Sequence, residues 1–504
     1  MYSAVWRRLI GAPLFVIAAL SLPSAGFAQP APIQPADSSA TVAGDFEPID
    51  LATALRLATA SSLDVARAQA VVEQARAGRQ KALVKWLPDA AMGVDYINHA
   101  GQLQQSNSNI LNINRDSLFV GGGPSLNLAL SDALYGPLVA RRLLNASEAG
   151  LQRVTNDNLL QVAEAYLQLL RARRRIARAD LTLDFLTNEK ASELRDNLKG
   201  LLPLVRDFVE VGGKDALRSD LTRMQVEVVR RREDRALAIQ DLRVAARELS
   251  RLLRLDPAVP LWPVDDISRP LPVPGEDLAG RDIAELIRIA MSNRPELIEQ
   301  QFVTDATRER IRAARFKPYV PAVIANLSYG GYGGGPIRDP RFKFNDPVNG
   351  PIDKPITPPD SIHRFGPRTD VELGLLWRVD NLGLGNRADV REKQAVFEQA
   401  RIRLQQIEDT VGAQVAAQRE AVLRSKDRIE ITRPALFDDK GQLTGAAFQS
   451  IRLNFRRIFG GEGRPLEALD SIRGLNDMME AYIQAISDYE RARLRLLNAA
   501  GLFR

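Results

Sequence analysis

Two long runs of the chain repeat apolar residues every 3.5 positions, and this repeat constrains the fold more than any other feature. Steps of three and four residues alternate through Val162, Ala165, Leu169, Ala172, Ile176, Ala179, Leu183 and Leu186, and again through Leu475, Met478, Tyr482, Ala485, Tyr489, Ala492, Leu496 and Ala499. A sustained repeat of this kind makes helices supercoil around one another. A helix over about 132–199 would be ~100 Å long. The sequence therefore predicts a coiled-coil tube or stalk.

The chain contains two copies of one structural plan. Leu51–Leu55 opens a helical pattern, and the similar Ile283–Ile287 opens another one 232 residues later. Each pattern ends near a proline, Pro88 in the first copy and Pro318 in the second. A proline-rich crossing over 257–280 lies between the copies. Because proline cannot continue a helix, we expect this crossing to be a non-helical connection. We therefore predict a first repeat over 49–256 and a second over 281–504.

After each proline the spacing of apolar residues changes to two. Four segments alternate in this way, with apolar positions at Met92, Val94 and Tyr96, at Leu126, Leu128 and Leu130, at Val323, Ala325, Leu327 and Tyr329, and at Val371, Leu373, Leu375 and Trp377. Strand side chains point alternately to opposite faces, so each segment would have one apolar and one polar face. Tilted strands of roughly 8–10 residues can cross a bilayer. Polar loops are predicted over 98–124 and 330–367.

These segments have two interpretations. A soluble antiparallel sheet packed on a core is the commoner structure. The long polar loops favour membrane insertion instead, as do Trp86 and Trp377 at the strand ends facing the helices, where an aromatic belt would lie. Four strands cannot close a barrel around a lumen, and lipid excludes open sheet edges. If the strands insert, several copies must share one barrel whose lumen is lined by Asp95, Asn127, Asn326 and Glu372.

The N-terminal segment has the pattern of an export signal. Arg7 and Arg8 precede an apolar run over 9–22, and small residues stand at Gly26 and Ala28. The run is shorter than the ~20 residues of a spanning helix. We predict a signal peptide over 1–28, cleaved after Ala28, followed by a flexible leader over 29–48.

Composition disfavours most enzyme classes. The chain has no cysteine and two histidines, which excludes disulfides, thiolate chemistry and a lipidated cysteine and makes a histidine-built site improbable. No catalytic constellation, cofactor motif or metal-ligand spacing is found. The arginine clusters at 171–175 and 230–232 are interpreted as solvated faces of long helices rather than phosphate contacts, because an exported protein meets no cytoplasmic nucleic acid.

In order and spacing these elements resemble TolC-type outer-membrane efflux proteins, the outer membrane factors. The resemblance covers the mature chain. It rests on the duplicated helix, strand-pair and long-helix plan, the similar helix openings, and two glycine-led turns into heptad helices, at 212–221 and 463–470. The resemblance implies a mainly α fold with a small β part, in which three copies contribute four strands each to a twelve-stranded barrel. A helical tunnel would continue the barrel into the periplasm.

The same resemblance implies a function and a gate. Such proteins are outer-membrane exit ducts of tripartite efflux or type I secretion systems, and a periplasmic adaptor protein joins them to an inner-membrane pump. Polar contacts at the helix tips close the tunnel, and the matching positions here are Asp220, Asp470 and Arg464, with Asp215 and Arg218 close by. Helix capping and first-turn acids are the alternative role for these residues.

Two departures and one alternative function remain. The segment 432–445 contains Pro434 and Gly441 and should interrupt the tunnel helix of the second copy. The second departure is the glycine-rich segment 459–465, which is unusually loose for a helix tip. The loop predicted over 330–367 is expected to plug or fringe the external mouth. The alternative function is a periplasmic coiled-coil adaptor or scaffold that does not insert in the membrane.

Overall fold

The computed structural model describes residues 46–104, 106, 108, 110–191, 197–210, 215–272, 276–336, 345–346, 350–351, 365–438 and 441–503. The predicted signal peptide, and the leader up to residue 45, lie outside the described residues. The chain from Phe46 onward forms one compact unit.

Apart from two short additional strands in the second repeat, the two repeats have the same order of elements. The first contains β1 (Glu47–Ile49), α1 (Leu51–Ser61), α2 (Leu63–Val84), β2 (Asp89–Gln104), β3 (Ile110–Ala129), α3 (Leu130–Thr187), α4 (Leu201–Glu210) and α5 (Asp215–Leu253). The second contains β4 (Leu261–Pro263), α6 (Ile283–Asn293), α7 (Pro295–Phe316), β5 (Ala322–Pro336), β6 (Asn345–Asp346), β7 (Gly350–Pro351), β8 (Gly366–Leu376), α8 (Leu384–Leu436), α9 (Ala446–Phe459) and α10 (Pro465–Ala499). Helices α1 and α6 have 11 residues each and α2 and α7 have 22, so the predicted duplication is confirmed.

Helix α3 is the longest element of the first repeat. Its 58 residues span ~87 Å at 1.5 Å per residue. The predicted heptad positions face its neighbours: all but Leu183 in α3 and all but Met478 in α10 are buried. Burying such a stripe of Leu, Ile and Ala is what holds the long helices together.

The long helical path is interrupted in both repeats, not only in the second. The expected helix over 132–199 is wrong at its C-terminal end, because α3 ends at Thr187 and α4 begins only at Leu201. In the second repeat α8 ends at Leu436 and α9 begins at Ala446. The chain returns to the helix at a glycine each time: the Gly200 N–H donates to the Asn188 carbonyl at 2.7 Å, and that of Gly445 to the Leu436 carbonyl at 3.1 Å.

The apolar interior consists of two clusters. One joins both repeats around β1, β4, α1, α6 and the middle of α3. The other lies towards the hairpin ends, where α4 leads to α5 and α9 to α10, and includes Phe185, Leu201, Met224, Phe448 and Ile472. The hairpin ends are therefore packed around a core of their own.

The four long strands form one antiparallel sheet in the order β2-β3-β5-β8. Each strand joins one helix of a row in which α2 contacts α3, α3 contacts α7, and α7 contacts α8. The helices thus continue the sheet in the same order. Within the described part of the chain, β2 and β8 are paired on one side only.

The strands are longer than the alternation predicted. They contain 16, 20, 15 and 11 residues. Most of the expected loop over 98–124 is therefore strand, and the expected loop over 330–367 is strand at its two ends, 330–336 and 366–367. The glycine-rich run at 329–335 belongs to β5, and His99, expected in a loop, lies in β2. His363 lies outside the described residues. Glycine carries no side-chain pattern, but its backbone still forms ladder hydrogen bonds.

Some of these glycines allow the strands to approach closely. A Cβ added at Gly122 would lie 2.0 Å from the Ala91 carbonyl oxygen, whereas one added at Gly93 would meet nothing within 4 Å. The backbone of a neighbouring strand cannot move aside as a flexible side chain can. Gly122 is therefore required by the sheet, and Gly93 is not.

We expect Gly122→Ala to destabilise the sheet by about 1–3 kcal/mol, the usual cost of overpacking. The matched variant Gly93→Ala should leave stability unchanged. Thermal unfolding of the detergent-solubilised protein, followed by far-ultraviolet circular dichroism, measures both. Equal melting temperatures for the two variants would contradict the close approach.

A buried ion pair holds the proline-rich crossing against the helices. The Arg174 guanidinium donates to both oxygens of Glu490 at 2.8 Å, and both side chains are almost fully buried. Arg174 also donates to the carbonyls of Ile267 and Arg269, and Glu490 accepts from the Leu271 N–H. The expectation that the 171–175 cluster is a solvated face is therefore wrong for Arg174. Its buried charge is matched by a bidentate partner.

Candidate functional site

The four residues predicted to line a lumen lie on one face of the sheet. Residues directly opposite each other in an antiparallel pair share a face. Asp89, Ser125, Asn326 and Glu372 form one such row across all four strands. Asp95 and Asn127 have the same parity as Asp89 and Ser125. We call this side the polar face, and its polar members include Asp89, Asp95, His99, Arg115, Ser117, Ser125, Asn127, Asn326, Ser328, Arg368, Asp370 and Glu372.

On the polar face, side chains form hydrogen bonds both between neighbouring strands and within one strand. Asn326 Nδ2 donates to Glu372 Oε2 at 2.8 Å. Arg368 Nε lies 2.9 Å from Asp370 Oδ2. These charged side chains are exposed, so the polar face can be in contact with water. Their position in a lumen stays a prediction.

The opposite side, which we call the apolar face, presents large hydrophobic side chains to the outside. More than a third of the surface is exposed for Met92, Val94, Tyr96, Val120, Leu327, Tyr329, Val371, Leu373 and Leu375. A continuous exposed apolar surface marks a contact with a partner or with lipid. Among the described helices, none has the length and apolar character needed to cross a bilayer.

Trp86 and Trp377 lie where the predicted belt requires them along the chain. Trp86 is in the turn between α2 and β2, and Trp377 directly follows β8. Both are about half exposed and both mark the end of the sheet at which the helices begin. The aromatic belt itself stays a prediction.

The predicted gate residues lie at the beginning of α5 and α10. Asp220 lies near Arg223, at 3.7 Å, and Asp470 near Arg473, at 3.3 Å, so each of these ion pairs is within one helix. Arg464 is exposed at the N-cap of α10 and forms no side-chain capping bond. Asp215 and Arg218 are in the first turn of α5, and the side chain of Asp215 lies outside the described part.

A connection between α5 and α10 comes from a residue that sequence analysis missed. Glu227 of α5 is 1% exposed and accepts from Arg473 of α10 at 2.9 and 3.1 Å. Arg231, one turn further along α5, donates to the other carboxylate oxygen. The spacing of Glu227 and Arg231 is visible in the sequence, but Arg473 is 246 residues away. This Glu227–Arg473 ion pair joins the two repeats near the hairpin ends.

The two arginines control the charge of Glu227. Burial acts to raise the pKa of the carboxyl, but the hydrogen bonds and charges of Arg231 and Arg473 outweigh burial and hold the pKa below its ordinary value of 4.5. A depressed pKa means that the ionised form is stabilised by folding. That stability is present above about pH 4.5 and is lost as the pH falls through the lower, folded-state pKa.

We therefore expect acid to separate α5 from α10. Spin labels on cysteines introduced at the exposed positions Val229 and Asp477 measure the distance between the helices. The distance distribution should be narrow at pH 7 and broaden once the pH has fallen well below 4.5, whereas that of Glu227→Gln should be broad at both pH values. As a control, Asp470→Asn removes an exposed pair and should behave as the parent. An unchanged distribution at low pH would contradict the role of Glu227.

Similarity to known proteins is found in the fold and not in the sequence. No family model matches the chain, and no curated protein matches its sequence. Solved structures do match. The outer-membrane channel OprN is 18% identical with a TM-score of 0.65, over 90% of this chain and 89% of OprN. CusC, studied for its transmembrane channel formation, is 16% identical with a TM-score of 0.66, over 92% of this chain and 95% of CusC.

A third similar structure is the open state of the MtrE outer-membrane channel from Neisseria gonorrhoeae. It is 16% identical with a TM-score of 0.62, over 90% of this chain and 89% of MtrE. The chain has the TolC-type outer-membrane channel fold. The predicted fold class, mainly helical with a small antiparallel sheet, is therefore confirmed. The TolC-type fold also accounts for the two repeats and for the row of helices that continues the sheet.

Proposed function

We propose that the protein is the outer-membrane exit duct of a tripartite efflux or type I secretion system. It would conduct substrates passively from a pump and its periplasmic adaptor to the exterior. No bond chemistry is involved, and the protein is not an enzyme. Its sheet would lie in the outer membrane and its long helices in the periplasm.

The observation that carries this proposal is the sheet with two different faces and two unpaired edges. The apolar face is exposed although it is large, and the polar face carries charged side chains. The apolar face would then contact lipid and the polar face would contact water, so each face would lie in the environment that suits its side chains. The edges of β2 and β8, unpaired in the described chain, cannot remain open in lipid, because each unsatisfied backbone group there costs several kcal/mol.

Three copies complete the structure. Pairing β8 of one copy with β2 of the next closes the sheet, and three copies give the twelve-stranded barrel that the fold implies. A barrel of this size is wide enough to enclose a channel. Asp95, Asn127, Asn326 and Glu372, which share the polar face, would line that lumen. Trp86 and Trp377 would form the belt at the periplasmic side.

The hairpin ends would form the gate. Asp220, Asp470, Arg464, Asp215 and Arg218 are the candidate contacts between copies, since most of them are exposed at the start of α5 and α10. The Glu227–Arg473 ion pair would hold α5 and α10 of one copy together in the closed state. Charge-assisted hydrogen bonds of this kind are strong when formed and can be exchanged for contacts with an adaptor.

Planar-bilayer recordings, together with the oligomer mass in detergent, test this function. A trimer with stepwise, water-filled conductance is expected, and Glu227→Gln should raise the fraction of time spent in the high-conductance state. Glu233→Gln, which changes an exposed carboxylate on the same helix α5 outside the predicted gate, serves as the control. A water-soluble monomer without channel activity would contradict the proposal and would favour a periplasmic role.

A further inference from the structure

We propose that the polar face carries a binding strip for drug-sized zwitterionic aromatic compounds, formed by Asp95, Phe119, Tyr332 and Arg368. This inference rests on the proposed function, because the strip meets passing solutes only where the polar face lines the channel. It assigns the chemical class of solute that the channel wall contacts.

The strand register places the four side chains in a line across the sheet. Asp95 is directly opposite Phe119, and Phe119 is directly opposite Tyr332. Arg368 is opposite Gly330, two residues before Tyr332 on the same face of β5. Neighbouring strands are about 4.8 Å apart, so the strip extends ~14 Å from β2 to β8. That length suits a ligand of two or three fused rings.

The aromatic middle of the strip is held in place by glycines. Cβ atoms added at Gly121 and Gly330 would lie 2.9 and 3.0 Å from ring atoms of Phe119. The ring of Phe119 therefore lies against the backbone at these two glycines, and no other residue type would leave space for it. Such packing keeps the ring on the wall, where it is partly exposed and can stack with another ring.

Arg368 forms the positive end. Its guanidinium carbon lies 4.7 Å from the centroid of the Tyr332 ring, and Nε is paired with Asp370. These contacts engage the flat side and one nitrogen of the guanidinium and orient it. The side chain is 48% exposed. Nη1 and Nη2 are the donors with which it could form a bidentate pair with a carboxylate.

Charge decides which ligands fit the strip. A carboxylate would pair with Arg368 and an ammonium or iminium group with Asp95, while the rings between them stack on Phe119. An anion without a positive group would be repelled by Asp95, Asp370 and Glu372. A cation without a carboxylate would leave Arg368 without its ligand partner. An aromatic zwitterion satisfies both ends.

Three dyes separate these possibilities. Rhodamine B is an aromatic zwitterion, rhodamine 6G is a similar cation whose carboxyl is esterified, and fluorescein is an anion. In planar bilayers we expect rhodamine B to block half of the current at a concentration about tenfold lower than the other two, the effect of one charge-assisted hydrogen bond. In Arg368→Gln, the concentration of rhodamine B that blocks half of the current should rise to the value for rhodamine 6G.

Arg115→Gln is the matched control. Arg115 is an exposed arginine on the same polar face, four residues from Phe119 along β3 and so ~13 Å from the strip. Its replacement should leave block by rhodamine B unchanged. The proposed strip would be contradicted if all three dyes blocked the current equally. It would also be contradicted if the Arg368 and Arg115 variants lost the same amount of block by rhodamine B.

Fluorescence anisotropy of the same dyes with the detergent-solubilised protein measures binding without any channel. Tighter binding of rhodamine B that is lost in Arg368→Gln supports the strip, whether or not the bilayers conduct. Absence of conductance in the bilayers would count against the proposed duct and not against the strip. If the bilayers conduct and the anisotropy does not distinguish the dyes, the strip is wrong and the duct stands.

Discussion

The unpaired edges of the four-stranded sheet are the constraint on which the rest of this structure depends. Strands β2 and β8, of 16 and 11 residues, have backbone donors and acceptors on one side without a partner in the described chain. Water could satisfy those groups, but it would then also meet the exposed apolar face. Lipid would accept that face but not the edges. Closure with further copies resolves both conflicts at once, and the helix row that continues the sheet then closes into a tube as well.

Local spacing determined what could be predicted from the sequence. The two faces of each strand and the buried stripes of α3 and α10 follow from periods of 2 and 3.5, which need no knowledge of distant residues. The extent of β3 and β5 could not be predicted, because glycines pair through the backbone and carry no pattern. The interruption after α8 could be predicted from Pro434 and Gly441, and the structure has it between Leu436 and Ala446. The end of α3 at Thr187 could not, because no proline or glycine marks it in the sequence.

The other features that could not be predicted from the sequence are ion pairs between residues far apart in the chain. Arg174 and Glu490 are 316 residues apart and Glu227 and Arg473 are 246 apart, so an arginine cluster on a helix gives no sign of which member is buried. Both pairs join the first repeat to the second. The first is enclosed on all sides and fixes the crossing, whereas Arg473 is 38% exposed, so the second is the easier to separate.

Disulfide cross-linking of the sheet edges tests the central claim most directly, because the chain has no cysteine of its own. Val94→Cys on β2 would be combined in turn with cysteine at Thr369, Val371 or Leu373 on β8. The account predicts that at least one combination gives a ladder of linked chains that stops at three. A control pair at the opposed residues Leu126 and Ala325 on the central strands should link within one chain. Unlinked monomers in every edge combination, with the control linked, would contradict it.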